Sequence, residues 1–330
     1  MGWLERAVTP GREYHKPLAQ LEDDVFLDIG ATRGKTTKFW MQLVLSSIIA
    51  AGGVIGDATP AVIGAMIIAP LGTPIYGLAL AAVTGDRRAL RSSLRLLLSG
   101  VAVNILIGVL IGLVTINRMP LDVNPQVLGR TAPTVLDLTV AIAVGIAGSF
   151  ALARRDVADI LAGVAIAISL VPVLAVVGIT LGAGEYSLAI GAFVLFLTNA
   201  AAILIAGAVV FKAAGYGREA EDRDERAGRR AHIAIIILVI VLLVPLAGSS
   251  GQILLYQHYA NDVEVATTEW LAGTAWTLES VDQSSNELVI SVIGPGDPPP
   301  LDQLKTAVRE KIPEFVPVSI IEDLGRTTQL

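Results

Sequence analysis

The chain has 330 residues, 53% of them hydrophobic and only 16% charged, with a formal net charge of −6, whereas a soluble domain is typically about a quarter charged. It has no cysteine, which excludes disulfides, thiolate metal sites and cysteine nucleophiles, and its three histidines, His15, His232 and His258, form no close pair that would build an imidazole metal cluster. Charges fall between long apolar runs rather than evenly along the chain, which is the pattern of a polytopic membrane protein and not of a large soluble core.

Residues 1–38 are a polar segment. The first long apolar run begins only near Phe39, so no secretory signal peptide is expected. A span needs roughly 20 apolar residues. Three runs, Phe39–Gly56, Pro60–Thr84 and Leu94–Ile116, make a first membrane group over 39–116. After an outer loop at 117–134, Val135–Ala153, Val157–Leu181 and Ser187–Phe211 make a second group over 135–211. A charged inner loop follows at 212–230, and then a seventh span over 231–255 built on the shorter run Ala231–Ala247.

Lysine and arginine should collect on the cytoplasmic side. With the N-terminus inside, the inner segments hold Arg33, Lys35 and Lys38; Arg87, Arg88, Arg91 and Arg95; Arg154 and Arg155; and Lys212 with the arginines of 218–230. The outer loops between spans hold only Arg118 and Arg130. The expected location is a bacterial or archaeal cytoplasmic membrane, crossed several times, with the N-terminus cytoplasmic and residues 256–330 extracytoplasmic. Arg88, Arg91 and Arg95 share one helical face next to Arg87. They either set topology by snorkelling to lipid headgroups or form a lipid or anion surface.

In 256–330, Ala275–Asp282 and Glu287–Ile293 read as strands around a polar turn at Gln283–Asn286. Leu301–Ile312 reads as an amphipathic helix with Leu301, Leu304, Val308 and Ile312 on one face, and Phe315–Ile321 as a last strand. With a helix over Val263–Leu271 in front, this is a small α/β unit suited to assembly or sensing.

The two membrane groups carry related features. Asp57 and Gly64 are spaced as Asp156 and Gly163 are, Pro74 and Pro172 fall within one position of each other, and Asn104 and Asn199 lie mid-span in the following runs. Three spans per group would give halves of opposite orientation, the inverted-repeat plan of many secondary transporters. Pro70, Pro74 and Pro172 interrupt apolar runs, and lipid cannot satisfy the backbone groups a proline frees. They mark either ordinary kinks or paired broken helices around a substrate site. The candidate substrate-binding residues are Pro70, Gly72, Thr73, Pro74 and Tyr76 at the first break, and Ser169 and Pro172 at the second. Asn104, Thr198 and Asn199 stand beside them.

Gly100, Asn104, Gly108 and Gly112 recur every four residues and predict a close-packing face. Either asparagine could serve an interhelical hydrogen bond or coordinate a ligand. Asp57 and Asp156 read as helix caps rather than proton carriers, and no carboxylate sits at mid-depth, which argues against a proton pump.

Gly64-Ala-Met-Ile-Ile-Ala-Pro-Leu-Gly-Thr-Pro-Ile75, followed by Gly85-Asp86, resembles the signature of a bacterial and archaeal hydrophobic membrane family, the domain of unknown function 389. Gly163-Val-Ala-Ile-Ala-Ile-Ser-Leu-Val-Pro172 and Leu195-Phe-Leu-Thr-Asn199 resemble its second and third blocks, so the likeness covers about Phe39–Phe211. The chain departs from the usual pattern at Gly72-Thr73, where Met-Gly is common, and at Val173, where a second proline is common. The resemblance implies a helical membrane fold and lends no substrate.

The expected architecture is therefore about seven membrane helices in two inverted three-helix repeats, plus a small C-terminal α/β domain. The expected function is a transporter or facilitator for a small polar solute or ion. The alternative is a channel-like or ligand-sensing membrane protein controlled by its outer domain. No catalytic constellation, metal site, cofactor or nucleic-acid partner is expected. The expected partners are membrane lipids, the solute, and a second copy of the chain in a homo-oligomer, since small residues at four-residue spacing line spans 1, 3 and 4.

Overall fold

The computed structural model describes residues 14–115, 121, 124–131, 134–157, 170–221, 259–284, 287–295, 298–313 and 316–324. The expected seventh span, residues 222–230 of the charged inner loop and the first part of the fifth span, with Gly163 and Ser169, lie outside the described residues. The chain divides into two units, Met1–Leu246 and Ala247–Leu330.

The first unit opens with a short amphipathic helix, α1 (Leu18–Val25), which buries Leu18, Leu21 and Val25. The long helix α2 (Thr32–Ile55) follows. The single expected span Pro60–Thr84 is two helices, α3 (Thr59–Ile68) and α4 (Gly72–Thr84), bent by 41°. Next come α5 (Arg87–Thr115), the short α6 (Pro125–Leu128), α7 (Val135–Ala153), α8 (Leu170–Ala183), α9 (Tyr186–Ala213) and α10 (Tyr216–Glu221). Four of these helices are long and apolar enough to cross a membrane, or up to five if the bent pair is one span. The outward side chains of α2 include Met41, Leu45 and Ile48, and those of α5 include Leu106, Leu110 and Leu113, all exposed. Large apolar groups facing outward along whole helices suit a lipid solvent and would be a liability in water.

The helices finish where their sequences dictate. Gly85 adopts φ 70° and closes α4 with its N–H on the Ala81 carbonyl, the left-handed cap that glycine takes without strain. Asp86 then accepts from the Arg88 and Ala89 N–H groups and opens α5. Thr134 and Asp137 form a reciprocal capping box at α7. Asp57 is not the cap expected of it: it sits in the turn at φ 45°, and the residue opening α3 is Ala58, which has no side-chain cap. With Pro60 in the first turn of α3, one of the orphan N–H groups a cap would serve is already absent.

Two ends of this unit are tied by different contacts. At one end, α1 and α10 both pack on α4. The His15 Nε2 meets Glu219 at 2.7 Å, and the Lys16 N–H donates to the Ala153 carbonyl. Lys35, at the start of α2, pairs with Asp23 at 2.7 Å. At the other end, Asn124 donates to the Val54 carbonyl and Gln126 to Thr59 Oγ1. The starts of α2, α5 and α10 and the end of α7 thus gather with their lysines and arginines at a basic end. Among the described residues the far end has one basic side chain, Arg130.

The second unit is helical over 259–271, here α11. Strands β1 (Thr277–Ser284) and β2 (Glu287–Gly294) pair antiparallel, α12 (Leu301–Lys311) crosses over, and β3 (Val318–Leu324) pairs parallel to β2. The sheet order is β1-β2-β3. Leu288, Ile290 and Val292 alternate inward to meet Leu304 and Val308 of α12 and Val263 and Ala266 of α11.

Candidate functional site

The break between α3 and α4 follows from Pro70. A residue before proline is driven out of the helical region, and Ala69 has φ −62°, ψ 127°. Ala69 still donates to Ala65, but Pro70 has no N–H for the Met66 carbonyl one turn back. Leu71 turns the chain, Thr73 N–H caps onto the Pro70 carbonyl, and Pro74 falls in the first turn of α4, where its missing donor costs nothing. Pro70, Gly72 and Thr73 are half-buried, while Pro74 and almost all of α4 beyond it are buried. At the break itself Leu71 is buried, while Ile67 and Ile68 just before it are exposed.

The second proline stretch enters the same neighbourhood. Pro172 is buried, the third residue of α8 as described, and nearly every residue of α8 is buried among α2, α5 and α9. Asn104 joins the two stretches. On α5, Gly100 faces Leu71 of the first break, and one turn later Asn104 donates from Nδ2 to the Val171 carbonyl at 3.4 Å. Asn104 is fully buried and its Oδ1 has no partner. The glycine face read from the sequence is thus buried as a unit, Gly100, Asn104, Gly108 and Gly112 together.

Asn199 on α9 is only 9% exposed, and its Oδ1 is likewise buried without a partner. α8 and α9 pack as an antiparallel pair through the Gly184 turn, so Leu170 and Asn199 stand at similar distances along the two arms. Asn104 bonds Val171 of α8, and Asn199 lies on α9, which packs on α4, α7 and α8. Thr198 is buried, and among the described residues neither its hydroxyl nor that of Thr73 forms a hydrogen bond. Tyr76 is buried, donates from Oη to the Val144 carbonyl at 3.4 Å and sets its ring edge-on to Phe211. That contact anchors α4 to α7. The expected set thus divides: Leu71 at the first break faces Gly100, and Asn104 one turn along bonds Val171 beside Pro172, so α5 links the two proline stretches; Asn199 lies on α9, Tyr76 is used in packing, and Ser169 lies outside the described residues.

Among the described residues, no group of three His, Cys, Asp or Glu could hold a metal ion. Arg87, Arg88, Arg91 and Arg95 are all exposed at the basic end, and among the described residues none forms an ion pair. Arg95 bonds only back to the Arg91 carbonyl.

Sequence reading missed a clasp at the basic end. His15 stacks on Tyr216 with centroids 5.0 Å apart while holding Glu219, and Tyr216 Oη donates to the Lys16 carbonyl. Burial, with Glu219 and Asp24 nearby, raises the Tyr216 hydroxyl above the ordinary phenol range. Arg154 forks onto Asp156 at 2.9 and 2.6 Å, and this hydrogen bond holds the Asp156 carboxyl below its usual range. The partners of His15 and Glu219 are some 200 positions apart, beyond any local pattern. The spacing of Leu18, Leu21 and Val25 was a signal that could have found α1.

Residues 66–205 match the family described as "Domain of unknown function (DUF389)". The chain is 31% identical over 204 residues to "Uncharacterized protein MJ0678" of Methanocaldococcus jannaschii, a match that covers 62% of this chain and 62% of that protein's length. No solved structure matches. The matched segment runs from the end of α3 through the middle of α9 and so holds both proline stretches and both buried asparagines. Through residues 66–205, the chain matches the model of the DUF389 family.

Proposed function

We propose that this protein is a membrane transporter or facilitator for a small polar solute or ion, bound near the broken span and Pro172 of α8. The observation that carries this reading is Asn104, fully buried with its side-chain oxygen unpaired, on the helix whose Gly100 faces Leu71 of the helix break. A buried acceptor without a partner costs about 1–3 kcal/mol, and native proteins tolerate such groups chiefly where something else fills the need. Interrupted helices near the middle of a membrane bundle are the usual sites of solute binding in secondary transporters.

Two further features support the plan. α5 of the first group packs on α8 of the second, and α9 of the second packs on α4 of the first. That exchange is what two inverted three-helix halves would give. Lysines and arginines gather at one end of the unit, which suits a cytoplasmic basic end and a cytoplasmic N-terminus. The exposed Arg87, Arg88, Arg91 and Arg95 would then meet anionic headgroups at that surface. Of the small-residue faces, those on α5 and α7 are spent within the chain: Gly108 on Gly178, and Gly145 on Ile203 and Ala206. Gly52 on α2 has open space before it and remains available to a second copy of the chain.

The test is flux in liposomes carrying the purified full chain. Saturable uptake with counterflow supports a carrier, unsaturable uptake supports a channel, and absence of flux for cations, anions and small neutral solutes alike refutes the proposal.

A further inference from the structure

We infer that Arg130, at the far end of the first unit, holds an oxyanion, a carboxylate or phosphate group, on the edge of its guanidinium formed by Nε and Nη2. The side chain is fixed before any ligand arrives. Its Nη1 donates to the Gln126 carbonyl at 2.7 Å and to Gln126 Oε1 at 3.0 Å. Gln126 is itself buried and donates to Thr59 Oγ1 at 2.9 Å, and Asn124 ties the same turn to the Val54 carbonyl. Capping the end of α6 therefore occupies one nitrogen of the guanidinium. Nε is shut off from solvent and has no partner, and among the described residues Nη2 forms no hydrogen bond. These two N–H groups lie side by side and point the same way, spaced for two oxygens of one carboxylate or phosphate.

Charge points to the same ligand. Arg130 is half-buried, and a cation withdrawn from water is costly unless an opposite charge meets it. Among the described residues nothing supplies that charge. Asp137 is turned to the Thr134 cap, and neither Asp57, between α2 and α3, nor Glu185, just before α9, forms an ion pair. Burial accordingly pushes the guanidinium below its ordinary value. A neutral ligand would leave the charge uncompensated, and a cation would add to it. An oxyanion satisfies both the charge and the two free donors. This site stands apart from the proline stretches and does not depend on the transport reading.

The test is the Tm of the full chain in maltoside micelles, which contain neither phosphate nor carboxylate, at neutral pH and constant ionic strength. Sodium acetate or sodium phosphate replaces sodium chloride in one arm, and phosphatidylglycerol is added in chloride in the other. Phosphate stabilises folded proteins in general, so the reading is the difference between the parent and Arg130→Gln. The inference predicts a saturable rise of several degrees in the parent that is absent from Arg130→Gln. Arg130→Lys keeps the charge but not the fork, and should weaken the apparent affinity about tenfold. A rise with acetate or phosphate identifies a soluble anion, and a rise with phosphatidylglycerol alone identifies a lipid headgroup; either supports the site. No rise in the parent, the same rise in Arg130→Gln, or undiminished affinity in Arg130→Lys overturns it. A purely structural Arg130 would instead give variants whose Tm falls equally in every salt. Since binding and not flux is measured, failure here leaves the transport proposal standing, and absence of flux leaves the anion site standing.

Discussion

The seam between α5 and α8 and the seam between α4 and α9 occupy comparable places in the bundle, but they are built differently. In the first, backbone meets backbone: a side chain at Gly108 would come within 2.8 Å of the Ala175 carbonyl, and one at Gly112 within 2.6 Å of the Ile179 carbonyl. In the second, a Cβ at Gly207 would meet the Ala79 methyl at 3.2 Å and the Tyr76 ring at 3.4 Å, close to ordinary van der Waals contact. Asn104, on the glycine seam, is sealed completely, while Asn199 on α9 keeps 9% of its surface. Backbone contacts have no rotamers to yield, so the first seam leaves less room to adjust than the second.

The largest expected effect breaks the glycine seam. Gly178→Val places its new side chain against the Ile105 carbonyl and the Gly108 backbone, neither of which can move aside. Overpacking costs about 1–3 kcal/mol where side chains can adjust and more where they cannot. The variant should be lost from the monodisperse peak on size exclusion, whereas Gly207→Ala on the other seam should be recovered with Tm within a few degrees of the parent. Equal recovery of the two would erase the distinction between the seams.

An intermediate effect isolates one anchor of the softer seam. Tyr76→Phe removes the hydrogen bond to the Val144 carbonyl and leaves the ring contact with Phe211. The expected loss is about 1 kcal/mol, since the bond is long and the acceptor is also within helix α7. It is to be read as a lower denaturation midpoint at unchanged slope. A loss as large as that of Gly178→Val would show that α4 is held as firmly as α8.

The smallest effect is set by pH at the basic end. Asp156 has a folded-state pKa below its unfolded value, because Arg154 hydrogen-bonds the carboxylate. Its contribution is therefore present above the unfolded value, near 4, and is lost as pH falls through the depressed folded value. The pair is exposed, so the effect is slight. The difference in Tm between the parent and Asp156→Asn should be constant from pH 7 to about 5 and shrink only below about 4. A difference that shrinks already between pH 7 and 6 would mean another group controls this end.

Much of the fold was legible because lipid imposes a simple rule on composition. The runs Val135–Ala153 and Ser187–Phe211 are nearly the helices α7 and α9, and the four-residue glycine period named the buried face of α5. Hydropathy alone makes the run Pro60–Thr84 continuous, but Pro70 marked the interruption in the sequence, and acting on Ala69 it turns the run into two helices. The role of Asp57 was misread because a cap depends on one φ angle, not on the residue type alone. In the candidate site, the residues were visible as polar or proline positions in apolar runs. Their grouping was not, since Asn104 reaches Val171 across 67 positions. That Tyr76 is spent on packing could be learned only from its Val144 partner.

The central claim is that the broken span and the asparagines form a ligand site and not merely a packing device. It is tested most directly by uptake of radiolabelled cations, anions and small neutral solutes into liposomes bearing the parent, Thr73→Val or Asn199→Ala, with the Tm of each protein measured alongside. The account predicts saturable uptake by the parent that falls about tenfold, equivalent to about 1.4 kcal/mol, in each variant while Tm stays within a few degrees. Variants that lose Tm yet transport at the parent rate in their folded fraction would contradict it.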